Sequence, residues 1–260
     1  MNLKNMAKRL TLYNVKKAFL YLKRYGVRDF IVRLSERFAD AEVDYDKWFR
    51  SKELTEEQRE RQKARKWEWE PLISVAVPVY RTPETFLRQM IESVAVQTYR
   101  NWELCIADGS GDDGEPERII REYQEKGLPI RYRKMEKNEG IAGNTNAALA
   151  LADGDYTALF DHDDLLTENA LYEVAEAIER KGSPDMIYSD EDKVSADLSE
   201  YFQPHFKPDF SVDLLRANNY ICHLLVVSRK LLAKVGGQDA AYDGAQDYDF
   251  IFRCAEEAEK

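Results

Sequence analysis

Cysteine is scarce. Cys105, Cys222 and Cys254 are scattered through 260 positions, an odd number without the spacing of a disulfide framework or a zinc site. A reducing compartment is therefore expected. Long apolar runs are missing as well, and nothing approaches the ~20 residues of a membrane-spanning helix. The early run "AFLYL" meets Lys23 and Arg24 at once, which argues against a signal-peptide core. Positive charge is in deficit, with 38 Lys and Arg against 48 Asp and Glu and a net charge of -10. A free chain of that sign is not built to bind nucleic acid. Together these absences lead to the expectation of a cytoplasmic protein, or one lying at the inner face of the cell membrane.

The hydrophobic content of 44% suffices for one sizeable core with an appendage. Charge is placed unevenly. Residues 1–38 hold ten Lys or Arg and only Asp29 and Glu36 as acids, a local balance of +8 that leaves -18 for the remainder. Leu3, Met6, Leu10, Phe19, Leu22, Phe30, Ile31, Leu34 and Phe38 recur at helical spacing, and Gly26 divides them into two basic amphipathic helices. Such helices suit an anionic membrane surface; packing on the rest of the protein or a dimer contact would use the same face. The polar stretch "SKELTEEQRERQKARK" reads as a solvated helix or linker. Residues 1–70 are accordingly a helical extension, and residues 71–260 a second domain.

In that domain strands and helices alternate. "LISVAVPVY" is a buried strand, and "TPETFLRQMIESVAVQ" a helix with Thr82 as cap and Pro83 at its first position. "WELCIAD", a strand near Ile130–Arg133, "YTALF", "DMIYSD" and "HLLVVS" follow as strands, separated by "EPERIIREYQEKG", "IAGNTNAALALADG" and "TENALYEVAEAIERKG" as helices. This is the pattern of an α/β domain with a mostly parallel sheet. Ligands of such sheets lie outside the carboxyl ends of the strands, where Asp108, Asp161 and Asp190 all fall. "QDYDFIFRCAEEAEK" runs to Lys260 without a C-cap signal, so the domain is expected to be truncated there.

Asp161, Asp163 and Asp164 crowd the end of "YTALF", with His162 among them. Capping the next helix does not account for three acids, because Thr167 is placed for that role with Glu168 in the first turn. A calcium loop fails on Leu165 and on the missing glycine. A magnesium or manganese ion fits better, taking one or two carboxylates and completing its shell with water and substrate phosphates. "DGSGDDG" contains the spacing of Gly109, Gly111 and Gly114 seen in dinucleotide folds, yet Asp112 and Asp113 stand where a pyrophosphate would lie. "NEGIAGNTNAALA" allows close backbone approach to a ligand or close helix–sheet packing. "YSDEDK" and "PHFKPDF" are polar clusters of unassigned role, and His205 and His223 read as structural. Asp247 and Asp249 lie in the first turn of the last helix, where acids favour the macrodipole in any case.

Taken in order, "ISVAVPVY", "ADGSGDD", "NEGIAGNTNAAL", "FDHDD", "YSDEDK", "PHFKPDFS" and "GAQDYDF" make residues 71–260 resemble the inverting family 2 glycosyltransferases. The later motifs are most similar to bacterial enzymes of surface-polysaccharide synthesis, rhamnosyltransferases among them. The resemblance implies a GT-A fold and a nucleotide-sugar donor, either a UDP-sugar or dTDP-rhamnose. It also implies a Mn2+ or Mg2+ ion and a glycan acceptor, which could be lipid-linked. Pro78, Val79, Tyr80 and Asp108 would hold the nucleoside, with Asn138, Gly140 and Asn144 enclosing the nucleotide. Asp161, His162 and Asp163 match the DxD motif, Asp163 and Asp164 reaching the metal. Asp247 matches the general base. Gln246 stands where the family commonly has glutamate, and Gly143 where an arginine is often found. A dinucleotide-dependent oxidoreductase using the Gly109–Gly114 loop and a non-catalytic nucleotide-binding domain remain as alternatives.

Overall fold

The computed structural model describes residues 21–24, 26–31 and 44–259. The basic helices expected over residues 1–38 lie mostly outside the described residues, with 21–24 and 26–31 helical. Packing divides the chain into two compact units, Met1–Ser51 and Lys52–Lys260. The first contains helix α1 (Tyr45–Arg50), whose N-terminus is capped by the Asp44 carboxylate accepting from Lys47 N at 3.2 Å.

The second unit opens with α2 (Glu56–Lys63), which begins in a reciprocal capping box between Thr55 and Gln58. This stretch reads from sequence as a solvated helix or linker; it is a helix, and it packs on the α/β unit. Arg59 forms a two-pronged bond to Glu168 at 2.7 and 2.9 Å. The buried Gln62 accepts from Thr98 at 2.7 Å, and Arg65 binds Tyr172, Glu176 and Glu179.

Six strands form the main sheet: β1 (Ile73–Val79), β2 (Trp102–Asp108), β3 (Ile130–Lys134), β4 (Tyr156–Leu159), β5 (Met186–Tyr188) and β8 (Leu225–Ser228). Their order is β3-β2-β1-β4-β8-β5, with β1 to β4 parallel and β8 antiparallel to both β4 and β5. Every residue of β1 and β2 is buried, because helices cover both faces and a strand so enclosed needs a continuous apolar run. On one face Val75 and Val77 pack with Leu87 and Ile91 of α3 (Glu84–Ala95), with Ile119 and Ile120 of α4 (Glu115–Glu125) and with Leu171 and Ile178 of α6 (Ala170–Lys181). On the other face Ala76 and Ala107 meet Ala147 and Ala148 of α5 (Gly140–Leu149). Ala147 and Ala148 of "NEGIAGNTNAALA" thus serve close helix–sheet packing. A separate apolar cluster joins α7 (Val212–Ala217), β8, α8 (Arg229–Val235) and α9 (Gln246–Glu257) through Leu215, Val227, Leu231, Phe250 and Ile251.

Two expected caps are corrected. Pro83 itself occupies the N-cap of α3, and the hydroxyl of Thr82 is buried with no hydrogen-bond partner. At α6 the N-cap is Asn169, whose side chain makes no capping bond and donates to Glu173 instead; the Thr167 carbonyl accepts from Ala170 N and Gln97 Nε2, while Glu168 turns to Arg59. The polar clusters "YSDEDK" and "PHFKPDF" contribute to an antiparallel ribbon, β6 (Glu191–Val194) with β7 (Tyr201–His205), broken in register between Glu191 and Lys193. Helix α9 ends at Glu257, with Ala258 extended after it.

Candidate active site

Strand order reverses between β1 and β4, and a crevice opens where they part. Pairing of β1 with β4 stops at Ala76 opposite Leu159, two residues before Pro78. Ala76 directs its carbonyl toward β4, accepting from Phe160 N, whereas the Val79 carbonyl accepts from Gly109 N on the β2 side. By this alternation the nitrogen of Pro78 faces the side where β4 has already ended, so a proline costs no ladder bond there. The crevice holds a cavity of about 170 Å³ lined by Pro78, Phe160, Asp161, Cys222, His223 and Asp247, among others. It is the position at which open α/β sheets bind ligands.

One flank is fixed by an amide network. Asp108 is fully buried at the end of β2, accepting from Ser110 N and Tyr132 Oη, each at 2.9 Å. Burial, with the Asp108 charge beside it, holds the Tyr132 phenol above its ordinary pKa. Asn144 donates to Asn138 Oδ1 at 2.9 Å and accepts from Glu139 N at 3.1 Å; Asn138 Oδ1 also accepts from Gly140 N at 3.0 Å. A Cβ on Gly109 would lie 2.7 Å from Asn144 Nδ2, so this glycine is needed for Asn144 to lie beneath the turn. Val79 is buried and Tyr80 is exposed, beside this flank. In the same loop Asp113 accepts from Glu115 N at 3.1 Å. A carboxylate thus occupies the helix start that a dinucleotide pyrophosphate would need, which removes the physical basis of the oxidoreductase reading.

Across the crevice, Asp161, Asp164 and His223 bring one ligand atom each to within 4.8 Å of one another. His223 Nε2 is 3.6 Å from Asp161 Oδ2. Burial, with Asp161, Asp163 and Glu191 adding like charge, pushes the Asp164 carboxyl up to about 6, against the opposing pull of His223. Asp163 stays outside this group, its side chain 59% exposed and 3.8 Å from His162 Nδ1. That imidazole nitrogen is itself buried without a partner. Of the acids singled out in the sequence, the structure brings Asp161 and Asp164 together and leaves Asp163 apart, and it adds His223, which reads from sequence as structural. Nothing local in "NNYICHLLVVS" links that histidine to residues so far away in sequence; the antiparallel placement of β8 beside β4 does so.

Asp247 lies at the N-terminal turn of α9, on the cavity wall, and accepts from Asn219 Nδ2 at 3.0 Å. Asp249, two residues on, is committed to Arg253 at 2.8–2.9 Å. Cys222 also lines the cavity; burial, and then the Asp247 carboxylate, raise its thiol above the ordinary range. Two further charges lie behind His223. Lys207 is buried and held below its ordinary pKa by desolvation, against the pull of Glu191.

Residues 74–236 match the model of Glycosyl transferase family 2. The chain belongs to that family. The family 2 domain shares 35% identity over 214 residues with the O-antigen biosynthesis protein RfbC of Myxococcus xanthus, covering 82% of this chain and 17% of that protein. The chain thus spans about a fifth of the length of the first curated relatives it matches. Among solved structures it superimposes on Staphylococcus aureus TarS 1-349 in complex with UDP, with a TM-score of 0.60 and 20% identity, over 72% of this chain and 56% of that one. A mannosyltransferase from Pyrobaculum calidifontis, in complex with GDP-Man and Mn2+, gives a TM-score of 0.53 and 21% identity over 76% and 57%. These likenesses establish a GT-A fold for this family 2 domain. No helix among the described residues is long and apolar enough to cross a membrane.

Proposed function

We propose that the domain moves a sugar from a nucleoside-diphosphate sugar to a glycan acceptor, with inversion at the anomeric carbon, in the synthesis of a bacterial surface polysaccharide. The observation that carries this reading is a cluster able to hold a cation (Asp161, Asp164 and His223), two members of which, Asp161 and His223, line one cavity at the sheet's switch point together with the Asp247 carboxylate. The polysaccharide assignment is supported by the relative named for O-antigen biosynthesis.

The residues present fit a divalent ion. Burial, with like charge from neighbouring carboxylates, disfavours the ionised form of Asp164, a penalty that a cation relieves, and a mixed carboxylate and imidazole set favours Mn2+ over Mg2+, which prefers oxygen ligands throughout. Asp161, Asp164 and His223 would hold it, and when bound it would offset charge on the departing diphosphate. Asp108, with Pro78, Val79 and Tyr80, faces the nucleoside, and the Asn138–Asn144 network closes the nucleotide side around Gly140. Asp247 takes the proton from the acceptor hydroxyl as its oxygen attacks the anomeric carbon. The new glycosidic C–O bond forms as the bond to the diphosphate oxygen breaks on the opposite face. Asn219 orients the Asp247 carboxylate from behind.

Calorimetric titration with UDP, dTDP and GDP, each with and without Mn2+, tests the donor site. Metal-dependent affinity for at least one is expected, followed by slow Mn2+-dependent hydrolysis of the corresponding sugar nucleotide. Binding without any hydrolysis or transfer would favour a non-catalytic nucleotide-binding domain.

A further inference from the structure

The side chain of Lys207 is 1% exposed. A buried ammonium is costly unless its hydrogen bonds are satisfied, and the contacts of Lys207 Nζ converge on one place. It donates to the carbonyl of Ile221 at 3.0 Å and to that of His223, and lies 3.4 Å from Glu191 Oε2. That same Glu191 oxygen accepts from the backbone N–H of His223 at 2.6 Å, while Glu191 Oε1 faces His205 Nδ1 at 3.1 Å. The backbone of His223 is therefore gripped at both its N–H and its C=O by two oppositely charged side chains. With those groups fixed, only side-chain torsions remain free to aim the imidazole, which sits 3.6 Å from Asp161.

The two charges come from the polar clusters "YSDEDK" and "PHFKPDF", on or just beyond the β6–β7 ribbon. A buried ion pair is weak evidence of stability, since well-packed apolar residues often serve as well or better. Its retention beside a candidate ligand calls for another role.

We propose that Glu191 and Lys207 are positioning residues that hold His223 in the geometry needed to bind a divalent cation together with Asp161 and Asp164. This rests on the metal reading of that cluster given above. Partners that orient a metal-bound imidazole typically change metal affinity about 10–100-fold when removed, and ligand positions must be held to within about 0.5 Å.

The test uses the full chain and Mn2+, followed by loss of the free-ion electron paramagnetic resonance signal, with UDP and separately dTDP present. His223→Ala reports on the metal reading and Lys207→Met on the positioning role. Lys207→Met combined with Glu191→Gln removes both charges, so no unpaired buried ion is left to unfold the protein. The expected result is Mn2+ affinity weakened about 10–100-fold in Lys207→Met and in the double variant, with circular dichroism and metal-free nucleotide affinity like wild type. Mn2+ affinity that falls in His223→Ala but is unchanged in both Lys207 variants would overturn the positioning role alone. Absence of Mn2+ binding by wild type, or unchanged binding by His223→Ala, would overturn the metal reading and this proposal together. Failure of both Lys207 variants to fold would make the pair a folding element and overturn the proposal as well.

Discussion

At the scale of single residues, the site is decided by which carboxylates are drawn inward. Asp164 is pushed up to about 6 by burial and by its acidic neighbours, whereas Asp163 is mostly in solvent. Asp164→Asn should weaken the Mn2+-dependent part of nucleoside diphosphate binding more than Asp163→Asn does. Parallel calorimetric titrations check this, and the reverse order would move the metal toward Asp163. Asp247→Asn should lower transfer by roughly 10²–10⁴ while nucleotide and metal binding stay near wild type, because a positioned proton acceptor contributes about that much. Its stability cost should stay within about 1 kcal/mol, since Asn also tolerates helix starts. Asp249→Asn is the contrast. It breaks the pair with Arg253, which also braces the carbonyls of Val235 and Gly237, so it should lower the melting temperature more than it slows the chemical step. Equal loss of transfer in the two variants would place the base elsewhere.

At the scale of elements, the segment that carries α2 behaves as a strap across the α/β unit. Arg65 lies 4.0 Å over the Trp67 ring and binds Tyr172, Glu176 and Glu179 of α6. The Glu179 carboxyl is held below its ordinary value of 4.5 by the Glu68 backbone N–H and then by Arg65. A carboxyl depressed in the folded state adds stability that is present above the unfolded value and lost as pH falls through the folded one. Glu179→Gln should therefore destabilise the protein at pH 7, and the gap from wild type should shrink below pH 4.5. Urea unfolding at neutral pH and at about pH 3.5 measures both gaps. A gap that is constant or widens toward acid would show that the carboxylate does not anchor the strap.

At the scale of the whole molecule, charge is divided between an N-terminal stretch of +8 and a remainder of -18. If residues 1–38 form the interfacial helices expected from sequence, they would bring the domain to anionic lipid. Co-sedimentation with vesicles containing phosphatidylglycerol should pellet the full chain more than one lacking residues 1–38, and the difference should fade with added salt. Equal pelleting of the two would assign the basic segment to packing or to a dimer contact.

Local physics determined much of the fold. A short, β-branched apolar run such as "ISVAVPV" is best buried as a central strand. Helical periodicity marked α3, α4 and α6, and acids at strand ends located the crevice because carboxyl ends are where parallel sheets bind ligands. Those signals span a few residues each and are complete within their own segments. The start of α6 was missed because Gln97 and Arg59, distant in sequence, claim Thr167 and Glu168. His223 could not be matched to Asp161 without knowing that β8 lies antiparallel against β4. The ribbon that sends Glu191 and Lys207 behind His223 was equally hidden, since short polar strands carry no alternation to read. What the tertiary structure alone decided are contacts between segments far apart in the chain. Their free energy comes from burial and pairing that exist only once the sheet has closed.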